Sequence, residues 1–269
     1  MDTMLTLSFD RSPLAGDPVF SRRLVTVPAM RPPDLPDPIR QVAQRAWLDR
    51  ARSEYVGVMI ARRFWGLSVD MNAPSDIQEL CLKMVLDEQR HAHLCIVAAE
   101  SLGAQSDVTF DLDELQQVRS TESVSDQFLK MAIQTYAVGE VTALGLIRFA
   151  LSDLPDSGYR DVLKIIAADE VLHGRIGPRL LAAVKGGLTA HWLQWPGDDV
   201  VRALRDEYRQ AMSHRDVVES DEALLFQDAL SAQQLRSVGI PDSRGFKTAY
   251  HRALNQDVDA GFAFMDGEG

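Results

Sequence analysis

Only two cysteines occur in 269 residues, Cys81 and Cys95. Placed on one helix, as argued below, they would lie ~21 Å apart at 1.5 Å rise per residue and cannot bridge each other. They read as small buried apolar side chains in a reducing compartment. Basic residues are also scarce: 28 Lys and Arg stand against 39 Asp and Glu, a net charge of −11. That balance disfavours nucleic acid or an anionic membrane as a partner, because both call for a basic face. No apolar run approaches ~18 residues, so no transmembrane helix is predicted. The first residues, Met1 to Ala15, lack the basic start and apolar stretch of a secretory signal. A cytoplasmic location is therefore expected. No stretch alternates apolar and polar residues for long enough to predict a strand.

What is present is an ordinary globular composition, 46% apolar and 25% charged. The length suits one large domain, or a domain with an appendage. Residues 1–35 are proline-rich and aperiodic, which predicts an extended arm. A helical pattern runs from about Pro38 to Phe64, with Gly66 as a stop. A second follows Pro74, with Ser75 as N-cap, and ends near Gly103. Residues 104–123 are polar, with at most a short helical turn. A third helix is predicted from about Ser125 to Leu151 and a fourth from about Asp156 to Lys185. Pro178 should kink or break the fourth. Shorter helical patterns lie near 198–213, 221–236 and 245–256. The predicted fold class is all-α: a bundle over 36–186 and a C-terminal helical extension over 187–269 packed upon it. The long connection between helices 2 and 3 can reach ~66 Å, enough to run back along a bundle. Two helix pairs with one long crossover make a four-helix bundle of the ferritin-like kind.

Two Glu-x-x-His steps dominate the chain. Glu54 precedes Glu88 by 34 residues, in the run Asp87-Glu88-Gln89-Arg90-His91. Glu140 precedes Glu170 by 30 residues, in the run Asp169-Glu170-Val171-Leu172-His173. On a 100° wheel each of these residues falls within an apolar stripe. Glu54 shares its face with Trp47, Ala51, Gly57, Val58, Ala61 and Trp65. Glu88 and His91 sit with Cys81, Met84, Val85, Ala92 and Cys95. Glu140 sits with Ile133, Tyr136, Ala137, Ala143, Leu144 and Ile147, and Glu170 and His173 with Leu163, Ile166, Ala167, Gly174 and Gly177.

Four buried carboxylates without a cation would be driven to protonate by desolvation and mutual repulsion. Two divalent ions cancel the four charges, and imidazole binds them neutral. The i, i+3 spacing lets Glu and His of one turn reach one ion. Carboxylate with imidazole suits iron, manganese or zinc. The predicted metal ligands are Glu54, Glu88, His91, Glu140, Glu170 and His173. Arg50 and Tyr136, each one turn from a ligand, are candidate catalytic residues. Tyr55 points away from Glu54 and should pack, and His93 faces away from Glu88 toward solvent.

On these motifs the chain resembles the ferritin-like di-iron carboxylate superfamily, most of all its oxygen-activating oxidases and oxygenases. The resemblance covers roughly residues 40–180. The first motif fits the pattern D-E-x-R-H; the second has Leu172 where arginine is frequent. The resemblance implies that Asp87 hydrogen-bonds His173 and that Asp169 hydrogen-bonds His91, fixing each imidazole. It implies two iron ions, or a manganese–iron pair, and O2 as co-substrate; the Met and Trp content of the ligand faces suggests a small, largely apolar or aromatic organic substrate. No flavin or nicotinamide fingerprint is present, so electrons should come from a separate reductase or ferredoxin. A homodimer is possible. The alternatives are iron oxidation or peroxide removal, as in ferritins and rubrerythrins, and a relative of the tRNA hydroxylases. Ile166 occupies the position where N-oxygenase relatives carry a further histidine, which counts against that subgroup.

Overall fold

The computed structural model describes residues 4–7, 27–105, 108–111, 120–214 and 229–266. The chain is mostly helical. Helix α1 spans Asp37–Asp70 and α2 spans Ser75–Ser101. A third long helical rod follows in three parts: α3 over Val124–Met131, a π-helical stretch over Ala132–Gly139, and α4 over Glu140–Asp153. Helix α5 covers Gly158–Lys185. Then come α6 (Asp198–Ser213), α7 (Ala229–Ser237) and α8 (Ser243–Arg252). A π turn over Ala253–Asp257 leads into the short α9, Val258–Gly261.

Local chemistry explains most boundaries. Pro38 in the first turn of α1 loses only an N–H that would be unpaired anyway. Ser123, Ser157 and Asp242 cap α3, α5 and α8 by accepting the backbone N–H three residues on. Ser75, expected as a cap, is instead the first helical residue of α2; Pro74 precedes it and no side chain caps the helix.

Three expectations are corrected. Gly66 does not end α1, which continues to Asp70 because Leu67 and Ser68 are buried beyond it. Pro178 does not break α5, because Leu180, Leu181 and Val184 anchor its last turns in the core. A strand pair exists: β1 (Met4–Leu7) pairs antiparallel with β2 (Val108–Asp111), Leu5 opposite Phe110. Each strand has four residues, too few for alternation to stand out. The predicted pattern over 221–236 lies partly outside the described residues; α7 forms its described end.

Helices α1 and α2 pack along their lengths, α4 and the π stretch pack on α5, and α2 meets α5. Helices α8 and α9 lie against α4, and α6 against the π stretch. The apolar core falls into two clusters. One gathers Ala61, Phe64, Met84, Phe128, Tyr136 and Ile176. The other gathers Trp47, Ala51, Leu94, Cys95, Tyr159 and Ile166. Phe64 stacks on Phe128 at 4.3 Å between ring centroids, and burying such a side chain is worth about 1.5–3 kcal/mol. Trp47 is fully buried and its indole N–H donates to the Val238 carbonyl, 2.8 Å away.

Along α1, α2 and α5 the chain passes from one cluster to the other. The crossing point is the same on each: between Ala51 and Ala61, between Met84 and Leu94, and between Ile166 and Ile176. The six metal-type residues lie at or beside this level. Both cysteines are buried and free, and burial pushes the Cys81 thiol up to about 12. No described helix is long and apolar enough to cross a membrane.

Gly177 lets α5 approach the π stretch closely, since a Cβ there would overlap the backbone of Tyr136 and Ala137. Gly177→Ala should therefore cost about 1–3 kcal/mol by overpacking. Gly66→Ala, with nothing within 4 Å of the added carbon, should be neutral or gain about 0.5–1 kcal/mol. Denaturant unfolding of both variants checks the contrast; equal effects would contradict the close approach.

Candidate metal centre

Glu54 stands on α1, Glu88 and His91 on α2, and Glu170 and His173 on α5. Glu140 is the first residue of α4, immediately after the π stretch. Ligand-type atoms of Glu54, Glu88, His91 and Glu170 lie within 4.8 Å of one another. So do those of Glu88, Glu140, Glu170 and His173. Glu88 and Glu170 belong to both groups. The cluster thus consists of two groups that could each hold a metal ion, sharing two carboxylates, with His91 and Glu54 on one side and His173 and Glu140 on the other.

The imidazoles are fully buried and placed alike. His91 turns Nδ1 to Glu54 at 3.3 Å and to Glu170 at 3.4 Å. His173 turns Nδ1 to Glu88 at 3.1 Å and to Glu170 at 3.6 Å. Each Nε2 faces away from the cluster, toward an aspartate on the other helix. His91 Nε2 lies 3.0 Å from Asp169 Oδ2, and His173 Nε2 lies 3.4 Å from Asp87 Oδ2. With Nε2–H donating, Nδ1 keeps its lone pair for a metal. Gly57 makes room for this arrangement: a Cβ there would collide with the Glu88 carboxylate.

The electrostatics match a cation site. Burial, with Glu54 and Glu170 nearby, pushes Glu88 up to about 7 despite its contact with His173. Burial, with Glu170 and Glu88, holds Glu140 well above the usual carboxylate range. Glu170 goes the other way: burial opposes its charge, but both histidines bring it down to about 2. Burial likewise disfavours charge on the imidazoles, yet the surrounding carboxylates raise His91 and His173 to about 12. Without metal, protons therefore supply the positive charge. His91 Nδ1 and Glu170 Oε2 remain buried without a hydrogen bond. The donor set and these two open valences fit divalent metal, and the cluster is compatible with a di-iron carboxylate site.

Other sequence candidates lie outside this cluster. Tyr136 is buried against Phe64, ring centroids 4.4 Å apart, and burial with Glu140, Cys81 and Glu88 nearby keeps its phenol protonated. Arg50 stacks on Trp47, 4.7 Å from the ring centroid, and forms no ion pair with the cluster among the described residues. Tyr55 packs on Phe110. His93, expected in solvent, is half-buried on α2. Ala143, placed by the wheel on the Glu140 face, is exposed, while Val141, Thr142 and Gly145 are buried. The π stretch does shift α4 relative to the residues before Glu140, because i→i+5 turns depart from the phase that a 100° wheel assumes.

Two cations stand behind the histidines: Arg90, which the sequence reading had only as part of the D-E-x-R-H motif, and Lys83, which it did not single out. Arg90 pairs with Asp169 and lies 3.4 Å from Asp87. Lys83 pairs with Asp87 and lies 3.9 Å from Asp169. The i, i+4 spacing of Lys83 and Asp87 was the available signal. No protein-family model and no curated protein matches the chain in sequence.

A pH dependence follows. Asp169 and Glu170, both depressed to about 2, stabilise the metal-free fold above their ordinary values of 3.8 and 4.5. That stabilisation fades as pH falls toward 2. The raised imidazoles stabilise it fully below 6.5 and lose that effect only as pH climbs through about 12. Glu88 acts in the opposite sense, costing stability as pH rises from 4.5 through about 7. Metal must displace the imidazole protons, so its binding strengthens with pH. The gain in Tm on adding metal should therefore be small near pH ~5 and larger near pH ~8. A gain independent of pH would remove the histidines from the binding set.

Proposed function

We propose that the protein is a dinuclear non-haem iron oxidoreductase that activates O2 to oxidise or oxygenate a small, largely apolar or aromatic organic substrate. The observation that carries this reading is the pair of buried donor groups sharing Glu88 and Glu170. Their composition, carboxylates and one imidazole on each side, suits iron, and a manganese–iron pair takes the same ligands. A ferrous pair bound there supplies the two electrons with which O2 reduction begins.

The chain's own residues have the remaining tasks. Glu54 and His91 hold one position and Glu140 and His173 the other, with Glu88 and Glu170 common to both. Asp87 and Asp169 orient the imidazoles. Phe64, Met84 and Tyr136 exclude water on one side of the cluster, and Ala51, Cys95 and Ile166 on the other. Tyr136 is assigned packing first, since its ring is engaged with Phe64. In this reading residues 36–186 are a ferritin-like four-helix bundle with the long 2–3 connection as crossover. Residues 187–269 then cover the bundle. Reduction by a separate ferredoxin or reductase, a cytoplasmic setting and a homodimer complete the proposal.

The test is anaerobic loading with Fe(II), then mixing with O2 while oxygen uptake and iron oxidation are followed. Wild type should consume O2 in proportion to iron bound. Glu170→Ala should lose most metal and all O2 reactivity, because Glu170 serves both positions. Glu140→Ala should retain one metal. Tightly bound iron that is inert to O2, with and without candidate substrates, would overturn the oxygenase reading.

A further inference from the structure

Asp87 and Asp169 form a patch behind the two histidines, and among the described residues the lysine and the arginine paired with it both come from α2. On α2, Lys83 stands four residues before Asp87 and Arg90 three residues after it, so both share its face. On α5 the equivalent neighbours of Asp169 are Ile165, Ile166, Leu172 and His173, none of them a lysine or arginine. Among the described residues, Lys83 and Arg90 are the only lysine and arginine within ion-pair distance of either aspartate. The two are not equivalent. Arg90 closes on Asp169, the partner of His91, and stands back from Asp87 at 3.4 Å. Lys83 closes on Asp87, the partner of His173, and stands back from Asp169 at 3.9 Å.

We infer that Lys83 does for Asp87 what Arg90 does for Asp169, holding Asp87 against His173 and so positioning the half of the centre formed by His173 and Glu140. On α5, Leu172 is partly buried against the apolar core and offers no such charge. A carboxylate without its cation would turn toward solvent or share Arg90, and the 3.4 Å contact with His173 is the weaker of the two aspartate–histidine contacts. Lys83 is thus a positioning residue. It touches no ligand and acts through Asp87, and its side chain is 49% exposed, so it can be replaced without opening the core. The inference rests on the dinuclear reading proposed above.

The experiment is an anaerobic Fe(II) titration of wild type, Lys83→Met, Lys83→Arg and, as a surface control, Lys247→Met. Far-UV circular dichroism and metal-free Tm establish that each is folded. Wild type should take up two ions. Lys83→Met should weaken one of the two by about 10–100-fold, the range for loss of such supporting contacts, and leave the other near wild type. Lys83→Arg should restore both, and Lys247→Met should change neither. Two-ion binding in wild type with unchanged affinities in Lys83→Met overturns this inference alone. Equal weakening of both ions, or no rescue by arginine, overturns it as well. No stoichiometric metal in wild type overturns the dinuclear reading and the inference together.

Discussion

Mutual repulsion among four closely placed carboxylates, two of them buried and two partly so, is the constraint on which the rest of this structure depends. Glu54, Glu88, Glu140 and Glu170 arrive from different helical segments and meet where the apolar core divides in two. Nothing in an apolar interior compensates that much negative charge, since unit charges interact far more strongly there than in water. Without metal, the cluster answers with protons on both histidines and a reluctance of Glu88 and Glu140 to ionise. Divalent ions answer it better. Bound there, they would leave every carboxylate charged and every imidazole neutral, and would meet the buried His91 Nδ1 and Glu170 Oε2, which have no hydrogen bond.

The scaffold is shaped around that requirement. Helices fix the Glu-x-x-His step on one turn, and small residues bring the helices close enough for carboxylates of different rods to share an ion. Gly57 gives Glu88 its place, and Gly177 seats α5 against the π stretch. The π stretch ends at Gly139, so Glu140, one of the two glutamates outside a Glu-x-x-His step, directly follows a departure from regular helix geometry. Outside the cluster, the two aspartates with Lys83 and Arg90 form a charge-balanced support that continues to the surface. The support is asymmetric where the two motifs differ, at Arg90 and Leu172.

Much of this was legible in the sequence because it follows from helical period. The positions of the long helices, the core-facing placement of the glutamates and histidines, and the burial of Cys81 and Cys95 all rest on residues at i, i+3 and i+4. What period does not encode was missed. The π stretch itself was not foreseen, nor was the exposure of Ala143 three residues after Glu140. Gly66 read as a helix end and Pro178 as a kink or break, yet buried side chains beyond each outweigh a local cost of about 1–3 kcal/mol. The ribbon of β1 and β2 joins short segments about 100 residues apart, which no local pattern reveals. Lys83 drew no reading from the sequence, because its contacts with Asp87 and Asp169 show only once α2 and α5 are side by side.

The central claim is that these six side chains hold two metal ions. Anomalous diffraction at the iron edge, from crystals loaded anaerobically with Fe(II), tests it most directly. The account predicts two adjacent peaks, one beside His91 Nδ1 and Glu54 and one beside His173 Nδ1 and Glu140, with Glu88 and Glu170 reaching both. A single peak, peaks elsewhere, or an empty cluster in iron-loaded protein would contradict it.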